Sequence, residues 1–121
     1  MNNEMLTKAI CSYLLDLGIS AKLRGFTYIE DSIYCLASNN IKIIKIKTLY
    51  NKLALKYNTS SYNIERDIRY AIDKGERNEN YEIAYNIFRS SLDINNNKKT
   101  NKIFIMTLAN HIMVMGLTDI D

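Results

Sequence analysis

The chain has 121 residues, 47% hydrophobic and 24% charged, with a formal net charge of +3. That length suits one ordinary domain, and the mix is that of a globular chain rather than a disordered one. No apolar run approaches the roughly 20 residues that a membrane-spanning helix needs, and Met1-Asn2-Asn3-Glu4 lacks the start of a secretory signal, so a cytoplasmic protein with no membrane partner is expected.

Apolar residues recur at helical spacing along the chain. Leu6, Ala9, Ile10, Tyr13, Leu14 and Leu17 predict a first helix, stopped by Gly18. Ile29, Ile33, Leu36 and Ala37 predict a second, ended by Asn39 and Asn40. Ile41 to Ile46 alternates as a strand would, but a lone strand has nothing to pair with, so it reads as an extended approach to the next helix. That third helix carries Ile46, Leu49, Tyr50, Leu53, Ala54 and Tyr57. Ile64, Ile68, Ala71 and Ile72 predict a fourth, closing at Gly75. Tyr81, Ala84, Tyr85, Phe88 and Leu92 predict a fifth, and Phe104, Leu108, His111, Ile112 and Met115 a sixth. There is no proline, and asparagine clusters at Asn39-Asn40, Asn78 and Asn80, and Asn95 to Asn97 supply the turns. The expected fold is all-α, a single six-helix domain over residues 1–121.

Catalytic chemistry finds little footing. One histidine and two cysteines do not make the four-ligand set usual for zinc, so no metal and no cofactor are expected. Cys11 and Cys35 lie in apolar stretches and read as reduced and buried. Cys11 has no basic neighbour except Lys8, which leaves it a poor nucleophile. His111 falls on the apolar stripe of the sixth helix, and neither a phosphate-cradling glycine loop nor a dinucleotide fingerprint is present. Tyr13, Tyr50, Tyr57, Tyr81 and Tyr85 sit at core-compatible spacings. The chain is not expected to be an enzyme.

The informative stretch is the third and fourth helices, separated only by Asn58-Thr59-Ser60. Asn58 suits a left-handed turn position, and Thr59 or Ser60 suits a cap on the following helix. Ala54, four residues before Asn58, allows a close crossing, and Ile64, six after it, packs back into that crossing. This spacing is a helix-turn-helix over about residues 46–74. Charge concentrates in the same place. Residues 42–74 carry eight basic and three acidic side chains, net +5, whereas residues 1–41 and 75–121 are each net −1. A positive segment on a helix-turn-helix points to nucleic-acid phosphates; the plain alternative is a solvated lysine face.

With Ile64, Ile68, Ala71 and Ile72 inward, a 100° step turns Tyr62, Arg66, Arg69, Tyr70 and Asp73 outward. Arginine's planar fork matches guanine O6 and N7 in the major groove, and a carboxylate such as Glu65 can accept from cytosine N4. Base-reading candidates are therefore Tyr62, Asn63, Glu65, Arg66 and Arg69, on a recognition helix over about residues 60–74. Glu65 and Arg69 could equally form an i, i+4 surface ion pair. Lys47, Lys52, Lys56, Ser60, Ser61 and Lys74 are the phosphate candidates, with Lys52 and Lys56 on one face of the helix before the turn.

The run Lys56-Tyr-Asn-Thr-Ser-Ser-Tyr-Asn-Ile-Glu-Arg-Asp-Ile-Arg-Tyr-Ala-Ile72 resembles the helix-turn-helix of the stage-zero sporulation master response regulator family of endospore-forming bacteria. Leu17-Gly-Ile-Ser-Ala-Lys-Leu-Arg-Gly-Phe-Thr-Tyr28 is similar to that family's approach to its second helix, and Thr100-Asn101 with Phe104-Ile105-Met106 to its last helix. The resemblance runs over about residues 5–114 without a gap. It implies a six-helix DNA-binding effector domain that reads short boxes, often in tandem, as a head-to-tail pair on double-stranded DNA. It also implies that Glu65, Arg66 and Arg69 occupy recognition positions that the family fills with the same residue types. Four positions depart from it: Asn63 replaces an arginine, Asp67 a small residue, Glu76 a tryptophan and Lys99 a proline.

The chain is thus expected to be the effector domain alone, separately encoded or excised, without a receiver domain. If separately encoded, it lacks phosphorylation control of its own. Two functions follow. One is a sequence-specific transcriptional regulator, cytoplasmic and on the bacterial nucleoid when bound. The other is a DNA-silent module that pairs with a full-length regulator or with RNA polymerase. The +5 segment with Arg66 and Arg69 favours the first, Asn63 and Asp67 the second.

Overall fold

A computed structural model describes residues 2–38, 45–89 and 99–120, with side chains through residue 116. It contains α1 (Asn3–Asp16), α2 (Arg24–Ser38), α3 (Ile46–Lys56), α4 (Ser61–Gly75), α5 (Tyr81–Phe88) and α6 (Asn101–Ile120), with no strand among the described residues. The all-α expectation holds. The stop at Asn39-Asn40, most of the extended approach from Ile41, Leu92 and the cluster Asn95 to Asn97 lie outside the described residues.

Local chemistry sets the helix ends. Asn2 caps α1 by accepting from the Met5 amide at 2.8 Å, and Asn80 caps α5 by accepting from the Ile83 amide at 3.2 Å. α1 ends at Gly18, whose φ of +80° closes a Schellman turn in which the Ile19 amide reaches the Leu14 carbonyl at 3.0 Å. A Cβ there would stand 2.4 Å from the Gly75 carbonyl oxygen, so the end of α1 seats directly on the end of α4. α2 starts at Arg24, five residues before the apolar stripe announced it, because a turn from Ser20 to Leu23 leads straight into the helix.

α2 is the central element and packs on α1, α3, α4 and α6, with α5 on α6. Ile10, Leu14, Ile29, Ile33, Leu36, Ile64, Ile68 and Leu108 are fully buried where these helices meet. Gly25 makes the α2–α4 crossing possible: a Cβ at that position would fall 2.2 Å from the Asp67 carbonyl oxygen. Backbone contact at that point fixes the depth and rotation of α4. Three core expectations fail, and one of them is Met115, which is exposed on α6. Tyr81 and Tyr85 are exposed and stacked on each other at 6.4 Å. The buried stripe of the short α5 is Ala84, Ile87 and Phe88 instead. Tyr13 and Tyr57 are half-buried, and Tyr50 is buried. No helix among the described residues is long and apolar enough to cross a membrane.

Candidate nucleic-acid interface

The turn between α3 and α4 has the expected chemistry. Asn58 holds φ +53°, and the Thr59 amide donates to the Ala54 carbonyl at 2.9 Å, a Schellman closure with asparagine in the usual glycine position. Ser60 is the N-cap of α4: its hydroxyl accepts from the Asn63 amide at 3.0 Å. Ile64, Ile68, Ala71 and Ile72 are all buried, which confirms the helix phase inferred from spacing. Tyr62, Arg66, Tyr70 and Lys74 then form one ridge at four-residue intervals along the outer face, with Lys74 Nζ 5.6 Å from the Tyr70 ring centre.

Beside that ridge lies an open groove of about 650 Å³. α4 contributes Tyr62, Glu65, Arg66 and Arg69; the start of α3 contributes Ile46, Lys47 and Tyr50; the start of α6 contributes Thr100, Asn101 and Lys102. Of the candidates drawn from the sequence, the groove brings together Tyr62, Glu65, Arg66, Arg69 and Lys47. It does not include Asn63, Lys52, Lys56, Ser60, Ser61 or Lys74.

Each candidate has a definite setting. Tyr62 is 71% exposed. The Arg66 side chain is 55% exposed, and its Nη2 lies 3.3 Å from Asp67 Oδ1. Arg69 is drawn inward: its side chain is only 26% exposed. Its Nε and Nη2 donate to Asp73 Oδ1 at 3.1 and 2.6 Å, and its Nη1 donates to the Lys99 carbonyl at 2.6 Å. The i, i+4 ion pair of α4 is therefore Arg69–Asp73 rather than Glu65–Arg69. Asn63 turns back toward the corner and donates from Nδ2 to Thr59 Oγ1 at 3.1 Å. The Ser61 hydroxyl donates to Asn51 Oδ1. Lys47, Lys52 and Lys74 are exposed, whereas Lys56 Nζ lies 3.0 Å from Asp31 Oδ2, and that hydrogen bond holds its pKa above the ordinary lysine value. Asp31 also accepts the Tyr57 hydroxyl.

Sequence reasoning missed the far wall of the groove. Thr100 caps α6, accepting the Ile103 amide at 3.1 Å, and Asn101 Nδ2 donates to Tyr50 Oη at 3.2 Å and to the Glu65 carbonyl at 3.1 Å. Burial pushes the Tyr50 phenol pKa up, and the Asn101 hydrogen bond opposes the shift. Lys102 is exposed on the rim. A threonine cap followed by lysine is readable in the sequence, but its place opposite α4 is not. Two departures from the family pattern also meet. Lys99 Nζ, nearly buried, stands 3.9 Å from Glu76 Oε1, an ion pair too long for a hydrogen bond, and 4.9 Å from the Phe88 ring centre.

The other titratable candidates are tied up elsewhere. Cys11 donates to Glu30 Oε2 at 2.5 Å, and burial, with that carboxylate, pushes its pKa up to about 11. Both cysteines are free and half-buried. His111 meets the Tyr13 ring edge-on at 5.3 Å, and burial lowers its pKa. Among the described residues no cluster of metal-ligating side chains occurs.

Basic, aromatic and polar side chains of this helix-turn-helix are thus gathered around its outer helix. The family model described as "Sporulation initiation factor Spo0A C terminal" matches residues 10–112, which takes in every residue that lines the groove, and the chain belongs to this family of DNA-binding effector domains.

Proposed function

We propose that the chain is a sequence-specific, double-stranded DNA-binding transcriptional regulator that inserts α4 into the major groove. The observation that carries this reading is the groove beside α4, which sets Tyr62, Glu65 and Arg66 between the cationic rims of Lys47 and Lys102. In such a corner the first helix crosses the DNA backbone and the second enters the groove. Lys47, Lys52, Lys74 and Lys102 neutralise phosphates, with Ser60 and Ser61 near the backbone at the turn. Arg66 reads a guanine by exchanging Asp67 for O6 and N7. The Arg66 side chain is 55% exposed and its contact with Asp67 is 3.3 Å long, so water already competes for the fork and the exchange costs little. Glu65 orients the fork or accepts from a cytosine, and Tyr62 borders the same bases, while Asn63 stays on Thr59 at the corner. Two copies lie head to tail on tandem boxes, and bound on the nucleoid of the bacterial cytoplasm the pair touches RNA polymerase. The reading needs no cofactor and no catalytic step.

A second reading, a DNA-silent module that pairs with a full-length regulator or with RNA polymerase, draws on two observations. Asn63 is turned toward Thr59, and Asp67 holds Arg66. Arg66→Ala separates the two. In the DNA-binding reading it weakens the preferred duplex by about 1–3 kcal/mol and scarcely affects random duplex. Equal losses on both duplexes make Arg66 a phosphate contact, and no duplex binding by the unaltered protein favours the second reading.

A further inference from the structure

The geometry points to Arg69 as a positioning residue that braces the recognition helix against the start of α6, rather than as a reader of bases. This rests on the groove reading proposed above. Every nitrogen of its guanidinium donates within the protein: Nε and Nη2 to Asp73, and Nη1 to the Lys99 carbonyl, thirty residues away. Three of its five N–H donors are thus committed and its side chain is only 26% exposed, so turning the fork outward to meet a guanine would pull it off Asp73 and the Lys99 carbonyl. The brace has a second point of attachment one helical turn earlier on α4, where Asn101 Nδ2 holds the Glu65 carbonyl and the Tyr50 hydroxyl. Lys99 is anchored in turn, its side chain 7% exposed, beside Glu76 and over the Phe88 ring. The residues before and at the first position of α6 thus grip α4 on both sides of Arg66. What they fix is the rotation of α4 about its axis, which aims the Arg66 fork.

The test combines Arg69→Ala and Arg69→Lys, with amide exchange on the free protein and duplex binding as readouts. In free Arg69→Ala the Ile103 and Phe104 amides, which bond back to Thr100, should exchange about tenfold faster while core amides of α2 keep their rates. Unchanged exchange at the start of α6 overturns the brace whether or not the protein binds DNA. On duplex, the wild-type penalty for replacing the guanine read by Arg66 with 7-deazaguanine should shrink about tenfold in both variants, with the salt slope unchanged. Lysine cannot span Asp73 and the Lys99 carbonyl together, so it should not rescue. Rescue by Arg69→Lys, together with a salt slope lowered by about 0.9 in Arg69→Ala, would make Arg69 a phosphate contact. Loss of sensitivity at a different guanine, with the Arg66 guanine unaffected, would make it a base reader. Either result overturns the proposal.

Discussion

Lys52 and Lys56 are four residues apart on α3 and look equivalent, yet the structure separates them. Lys56 Nζ is 3.0 Å from Asp31, whereas among the described residues no carboxylate pairs with Lys52. Each phosphate neutralised by a free cation contributes about 0.9 to the slope of log affinity against log salt. Lys52→Ala should lower that slope by about 0.9. Between 50 and 200 mM salt its affinity deficit should then narrow by about 3.5-fold. Lys56 can reach a phosphate only by leaving Asp31 without its partner, so Lys56→Ala should move the slope by much less. Asp31→Asn frees Lys56, and in that background Lys56→Ala should recover a change near that of Lys52. Fluorescence anisotropy of a labelled duplex titrated across this salt range measures all four. Equal slope changes for Lys52→Ala and Lys56→Ala in the unaltered background would refute the argument that the Asp31 pair withholds Lys56.

Ile68 is fully buried beneath the outer face of α4, so Ile68→Ala should cost about 2–5 kcal/mol in urea unfolding, and a loss below about 1 kcal/mol would contradict the packing of α4. The Cys11 pKa is raised to about 11, which favours the neutral thiol, so alkylation at pH 8 should be far slower than for an ordinary exposed cysteine. Glu30→Gln removes one cause of the shift and should speed the reaction, although burial, the larger cause, persists.

Much of the fold was legible because periodicity reports burial directly. The spacing of Ile64, Ile68, Ala71 and Ile72 fixed the rotation of α4, and Asn58 and Ser60 marked a corner whose backbone demands those residue types. What stayed hidden depended on partners far along the chain. Tyr81 and Tyr85 at i, i+4 suit a buried stripe and an exposed stacked pair equally, and only the packing of α5 through Ala84, Ile87 and Phe88 decides between them. Arg69 sits on the outer half of α4 by angle, but a backbone carbonyl thirty residues away draws it in, and a carbonyl carries no side-chain signal. Glu76 and Lys99 each looked like an isolated departure; across 3.9 Å they form one ion pair. The far wall of the groove, from Thr100 to Lys102, depended on where α6 begins against α4.

The central claim is that α4 reads sequence in duplex DNA, and the most direct measurement is selection of bound duplexes from a random pool by the unaltered protein at low salt. The account predicts enrichment of a short box with a guanine at which 7-deaza substitution weakens wild-type protein, and at which Arg66→Ala no longer discriminates. No duplex bound at about micromolar protein, with the helical fold intact by circular dichroism, would contradict it.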